Sequence, residues 1–171
     1  TMTQSSKNRE TRPAIRPPEL QQPLAERSLD TSVQAALLQS ADIEGSLFVT
    51  DEACGLSGGA LEFSGCRFEK CVFSDWDFRR VSFVDCAFDH CDLSSLRLAN
   101  VTFQRVSFAV CRLTGAEFLQ AVLTNVLFDA CTAGYFALSE AKCSHTLFQG
   151  CRLMESLWQD VKLTDTAFDQ C

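Results

Sequence analysis

The chain has 171 residues, 46% of them hydrophobic, with fourteen Phe and ten Cys but one Tyr, and carries a formal net charge of −7 with a pI of about 4.8. That charge argues against direct binding to nucleic-acid phosphates or to anionic membranes. No apolar run approaches the roughly eighteen residues of a membrane-spanning helix, and the length suits one domain.

Residues 1–40 read as a disordered or loosely structured N-terminal arm. They are polar, carry Pro13, Pro17, Pro18 and Pro23, and show no apolar period. The stretch Thr31–Gln39 has two readings: a short helix with Asp30 or Thr31 as N-cap, or an extended lead-in. No apolar secretory leader is seen at the N-terminus, and a cytoplasmic location is expected.

From Leu61 onward the chain keeps a five-residue beat. Phe63, Phe68, Phe73, Phe78, Phe83 and Phe88 open it, and large residues continue at that spacing to Phe168, with Ala133 and Cys143 as the exceptions. Two residues before each stands a second small or apolar residue, such as Cys66, Val81, Cys86, Val106 or Ala116. A helix needs a period near 3.6 and a strand one near 2, so this chain must turn a corner every five residues. Four sides make a coil of twenty, and that larger period is visible in its own right. Phe68, Phe88, Phe108, Phe128, Phe148 and Phe168 form one column; Cys71, Cys91, Cys111, Cys131, Cys151 and Cys171 form another. The phase extends upstream through Ala41–Gly45 and Phe48, so residues 41–171 are expected to form about 5.5–6.5 coils. The segment 51–60, with Gly55, Gly58 and Gly59, reads as an irregular loop within the first of them.

The residues ADIEG at 41–45, CDLSS at 91–95, CRLTG at 111–115 and AEFLQ at 116–120 resemble the pentapeptide-repeat family, whose idealised unit is A-(D/N)-L-x-x. The resemblance implies an all-β fold, a right-handed quadrilateral parallel β-helix. It implies less about function, because family members serve diverse roles. The best-understood branch resembles B-form DNA in shape and charge, binds bacterial type II topoisomerases such as gyrase, and protects against quinolones or toxins.

Sorted by side, the columns separate filling from surface. Most of the cysteines fall at one repeat position where small apolar residues also occur, which is Cys used as a small hydrophobe in a reducing compartment. Stacked thiols alone do not converge on a metal, so neither metal nor cofactor is expected. After the Phe column come Glu69, Asp89, Ala109, Asp129, Gln149 and Asp169, a broken acidic ladder tolerated where water or a cationic partner reaches it. Outward Val110, Leu127 and Leu147 make this side unusually apolar as well. Glu69, Asp89, Val110, Leu127, Asp129, Leu147 and Asp169 are therefore the candidate partner surface. No nucleophile–base pair, phosphate loop or zinc spacing is present, so no enzyme activity is expected. The expected role is a non-catalytic protein–protein interaction or scaffold module. The alternative is a DNA-mimicking binder of gyrase or topoisomerase IV. A homodimer through the C-terminal coil or the Phe68 side is a further candidate.

Overall fold

A chain that puts two side chains of every five inward must reverse its pleat at each fifth residue, and left-handed backbone does this. In the computed structural model, which describes residues 12–171, every fifth residue from Ser40 to Gln170 has positive φ except Ala60 and Arg80. Gly45, Gly55, Gly65, Gly115 and Gly150 serve at five of these corners; Asp85, Asn100 and Asn125 are typical of the rest.

The coil of residues 61–80 defines the four sides. Leu61 and Phe63 point inward from the first, Cys66 and Phe68 from the second, Cys71 and Phe73 from the third, Trp76 and Phe78 from the fourth; all are buried. The first and second sides share one ten-stranded parallel sheet whose later members are Asp77–Asp89, Val101–Ala109, Val122–Asp129, Lys142–Gln149 and Lys162–Asp169. The fourth side is a ladder of short strands, Arg97–Ala99, Glu117–Leu119, Ala137–Ser139 and Leu157–Gln159. The third side pairs Glu52–Cys54 with Val72–Ser74 and then continues as single bridges through Asp92, Arg112, Thr132 and Arg152. The result is a parallel β-solenoid of about seven turns.

Register makes like stack on like. Phe48, Phe68, Phe88, Phe108, Phe128, Phe148 and Phe168 form one stack, with successive ring centroids 5.2, 4.6, 4.8, 4.8, 4.4 and 5.0 Å apart. The spacing is the inter-strand repeat of about 4.8 Å, so backbone pairing and ring stacking are satisfied together. Eight of the ten cysteines are buried and none is in a disulfide; Cys54 and Cys171 are exposed. The stacked thiols do more than fill space. Cys71 Sγ donates to the carbonyls of Phe48 (3.4 Å) and Glu69 (3.5 Å), and Cys91, Cys131 and Cys151 repeat the pattern. Where the side before them has Thr166 in the matching position, its hydroxyl donates to Thr164 and Cys143 in the same way.

Volume is conserved across neighbouring columns. Small Ala133 lies beside buried Phe136, and small Ala53 beside Trp76, whose Nε1 donates to the Ala53 carbonyl at 2.8 Å. Trp158, which the pattern places at a central inward position, is only partly buried; its Nε1 donates to Ser156 Oγ at 3.0 Å.

The structure departs from the sequence expectations before residue 61. Residues 1–11 of the expected arm lie outside the described residues. Ala25–Glu26 pairs in parallel with Ser46–Leu47 and so adds a rung ahead of residue 41. An α-helix follows at Leu29–Gln39, burying Leu29, Val33 and Ala36 over the end of the solenoid. Its N-cap is Ser28 rather than Asp30 or Thr31, and the capping acceptor comes from the first coil: Leu29 N–H donates to Asp51 Oδ2 at 2.7 Å. The glycine-rich segment 51–60 keeps the twenty-residue register, with Glu52 opposite Val72 and Ser57 opposite Asp77. Gly58 occupies a column otherwise held by Phe78 and Leu98, and the helix fills the space. A Cβ at Gly58 would lie 2.7 Å from Leu37 Cδ2 and 3.3 Å from Phe78 Cε1.

Candidate partner surface

The second side carries the candidate residues, and its sheet register fixes their spacing. Glu69, Asp89, Ala109, Asp129, Gln149 and Asp169 pair in sequence along one outward column. Carboxylates at about 4.8 Å repel unless they are paired or solvated, and most of this column is paired. Arg67 Nε lies 2.7 Å from Glu69 Oε1 and its Nη2 lies 3.3 Å from Asp89 Oδ2. His90 Nδ1 is 2.6 Å from Asp89 Oδ1, and Gln149 Nε2 donates to Asp129 Oδ1 at 3.4 Å. Asp169 pairs with Arg12. The strip is thus less anionic than its sequence suggests.

Val110 stands at the edge where this side meets the third, 49% exposed and with φ of 53°. It lines a shallow groove with His90, Asp92, Arg112, Ala130 and Thr132. A β-branched residue in left-handed backbone is strained by about 1–2 kcal/mol. Glu69, Asp89 and Asp129 share this edge, all half-buried.

Leu127 and Leu147 belong with the opposite edge, and here the chain itself is the neighbour, entering from Asp169 at the end of the acidic column. Arg12 pairs with Asp169, Arg16 N–H donates to Asn125 Oδ1 at 3.1 Å, Glu19 N–H donates to Asp85 Oδ1 at 3.0 Å, and Ala25 N–H donates to the Gly45 carbonyl at 3.0 Å. Residues 12–25 thereby run along the rod from its last coil to its first. Beneath them Leu147 is 6% exposed and Ala87 7%, although both point outward from the sheet. Along this outward column, from Leu47 to Ala167, no residue is exposed; on the fourth side Arg97, Glu117 and Leu157 in the equivalent place all are.

Asp85 is the most elaborate of the anchors. Arg105 clamps its carboxylate with Nε at 2.6 Å and Nη2 at 2.7 Å, while the Glu19 N–H supplies a third donor. These donors, Arg105 foremost, hold its carboxyl below the usual carboxylate range. Nothing in the sequence marks Asp85, Arg105 or Asn125 as a set, because each is one more polar corner residue. Their common feature is the twenty-residue spacing on one edge.

Burial pushes the Cys143 thiol up to about 11, and burial is the main cause raising Cys86 as well. Among the described residues no group of three or more His, Cys, Asp or Glu side chains is arranged to hold a metal ion. No helix among them is long and apolar enough to cross a membrane.

A four-sided parallel β-helix with two inward side chains in every five residues is a repeat-protein rod. The family described as pentapeptide repeat region matches residues 61–128 and 101–171, and the chain belongs to the pentapeptide-repeat family. No curated protein sequence matches it. Among solved structures it is similar to a trypsin-treated form of QnrB1, a plasmid-mediated fluoroquinolone resistance protein, at 23% identity and a TM-score of 0.45, covering 74% of this chain and 64% of that one. It is similar also to Rfr23 from the cyanobacterium Cyanothece 51142, at 13% identity and TM-score 0.30, covering 81% of this chain and 99% of that one. A third is HetL from Nostoc sp. strain PCC 7120, a protein involved in heterocyst differentiation regulation, at 10% identity and TM-score 0.31, covering 75% and 92%.

Proposed function

We propose that this chain is a non-catalytic protein-binding rod whose partner docks on the edge formed by Glu69, Asp89, Val110 and Asp129. The observation that carries the reading is Val110. Its exposed, β-branched side chain is held in left-handed backbone at a corner where the other residues are almost all Gly, polar or Ala, and nothing in the packing of the rod requires it. Strain of this kind persists where a surface contact uses it. The adjoining carboxylates are half-exposed and flank an apolar centre, the usual layout of a polar rim around an anchor. Buried, unpaired thiols fit a reducing, cytoplasmic setting.

The paired state of the acidic column weighs against mimicry of a polyanion, since Arg67 answers both Glu69 and Asp89. Two measurements test the reading. Gyrase supercoiling, with and without a quinolone, should be unaffected by micromolar protein; protection would instead support a topoisomerase binder. Immobilised full chain should retain a partner from cell extract that Val110→Asp and Asp129→Lys each release. A retained set unchanged by both substitutions would refute this edge as the docking site.

A further inference from the structure

The segment Arg12–Leu20 is rich in proline and lies extended against the rod, so its own docking describes a ligand. Its alternating exposure, with Pro13, Ile15, Pro18 and Leu20 half-buried and Arg12, Ala14, Arg16 and Glu19 exposed, gives it an inner face and an outer face. Its anchors follow a rule. From Arg16 to Glu19 the chain advances three residues, and the acceptors advance from Asn125 to Asp85, two coils along the same edge. Three residues of polyproline II chain rise about 9 Å, and two coils rise about the same at roughly 4.8 Å each. The match is geometric: an extended proline-rich chain meets an acceptor on every second coil without stretching. Proline favours that conformation, and a chain without internal hydrogen bonds leaves its N–H groups free to donate outward.

The receiving surface is likewise built. Asp85 is 14% exposed at its side chain and is fixed by the two-point clamp from Arg105. Between the anchors Asp169 and Asn125 the path of Pro13–Ile15 crosses the coil of Leu147, which is where that outward leucine loses its exposure. Apolar stripe, side-chain acceptors for backbone N–H groups at a two-coil interval and a terminal carboxylate together select an extended segment with prolines and an arginine.

We propose that the edge formed by Asp85, Asn125, Leu127 and Leu147, with Asp169 at its far end across the same side, is a peptide-binding groove for extended, proline-rich, arginine-bearing segments of a partner protein. Residues 12–20 are its resident occupant, and the partner segment binds by displacing them. This groove follows the edge opposite Val110 and meets the Glu69–Asp129 column only at Asp169, two coils beyond Asp129.

The test uses the full chain and a fluorescein-labelled peptide of residues 12–24. Arg12→Glu with Ile15→Asp sets a carboxylate against Asp169 and another over Leu147, which loosens the resident segment and leaves the groove intact. Fluorescence anisotropy should show the loosened chain binding the peptide at least ten-fold more tightly than the unmodified chain, whose own segment competes at an effective concentration on the order of millimolar. Leu147→Asp, added to the loosened chain, should weaken binding at least ten-fold. Asn125→Ala should also weaken it, and provides the comparison should Leu147→Asp perturb folding. Val110→Asp should change nothing, which separates this groove from the other edge. Equal affinity for both chains, no binding by the loosened chain, or light scattering that shows dimers formed by exchanged N-terminal segments would overturn the proposal.

Discussion

Removing one ring from the middle of the phenylalanine stack is a direct test of what holds the rod together. Phe108 is fully buried, with Phe88 and Phe128 stacked on its two faces at 4.8 Å each and Phe103 edge-on at 5.5 Å. Truncating a buried Phe to Ala costs about 3–5 kcal/mol through lost transfer energy and the cavity left behind. Two points place Phe108→Ala at the top of that range. Both stacked pairs are lost, each contributing about 0.5–1.5 kcal/mol beyond burial. The strands on either side are also hydrogen-bonded through Ser107 and Ala109 to the coils above and below, so the frame has little freedom to close over the void. Phe168 is the internal control. It occupies the same column but is 43% exposed and stacked on one face only, by Phe148 at 5.0 Å. Phe168→Ala should cost about 1–2 kcal/mol, roughly the share of burial it has to lose. Urea unfolding, analysed by linear extrapolation, measures both. Trp76 and Trp158 lie in different coils on either side of Phe108, so their fluorescence also reports whether the two ends unfold together. A loss below about 2 kcal/mol for Phe108→Ala, or an equal loss for Phe168→Ala, would refute the stack as the main source of stability.

Ellman's reagent should titrate two thiols rapidly in the native protein, Cys54 and Cys171, and all ten only after denaturation; rapid reaction of more than two would contradict the packed cysteine columns. Val110→Asn should stabilise the chain by about 1 kcal/mol in urea melts, because Asn tolerates left-handed backbone that Val resists, while weakening partner capture; a loss of stability would show that Val110 is needed for packing. The Asp85 carboxyl is held below its usual range by Arg105, so its contribution is complete above the unfolded carboxyl's pKa of about 3.9 and fades as pH falls through its lower folded value. Hydrogen exchange at Arg16 and Glu19 should therefore stay slow as pH drops toward that range and accelerate only below it, after correction for the intrinsic rate; release of the segment already near pH 6 would exclude Asp85 as the controlling anchor.

The period was legible because it repeats an inward position at fixed spacing, and the Phe and Cys columns needed only that. The edges were less so. Gly55, Gly58 and Gly59 resemble a loop because a glycine in a strand leaves a hole, and Leu37, distant in sequence, fills the one at Gly58. The helix start is hidden for the same reason: its capping carboxylate, Asp51, comes from a coil and not from the helix. Residues 12–25 carry no apolar period because they bind through backbone N–H groups, which the sequence does not display. The acidic column could be read residue by residue, but its neutralisation by Arg67 required knowing that the outward columns of one side lie within reach of each other. Val110 is legible as apolar and outward, whereas its strain follows from the corner geometry alone.

The constant register has a consequence for how such a chain changes length. Duplicating or deleting twenty residues returns every later column to its own line, so the rod can grow or shrink by whole coils with its faces preserved. A change of five residues also keeps the inward pattern, yet it shifts everything downstream by one side and so turns the later surface by a quarter revolution. A lineage can thereby rotate Val110 away from Asp89, or Asn125 away from Asp85, without altering a single surface residue. In this architecture the gain or loss of one short unit is a rewiring of the outside that keeps two inward residues in every five, while like no longer stacks on like where the shifted coils meet.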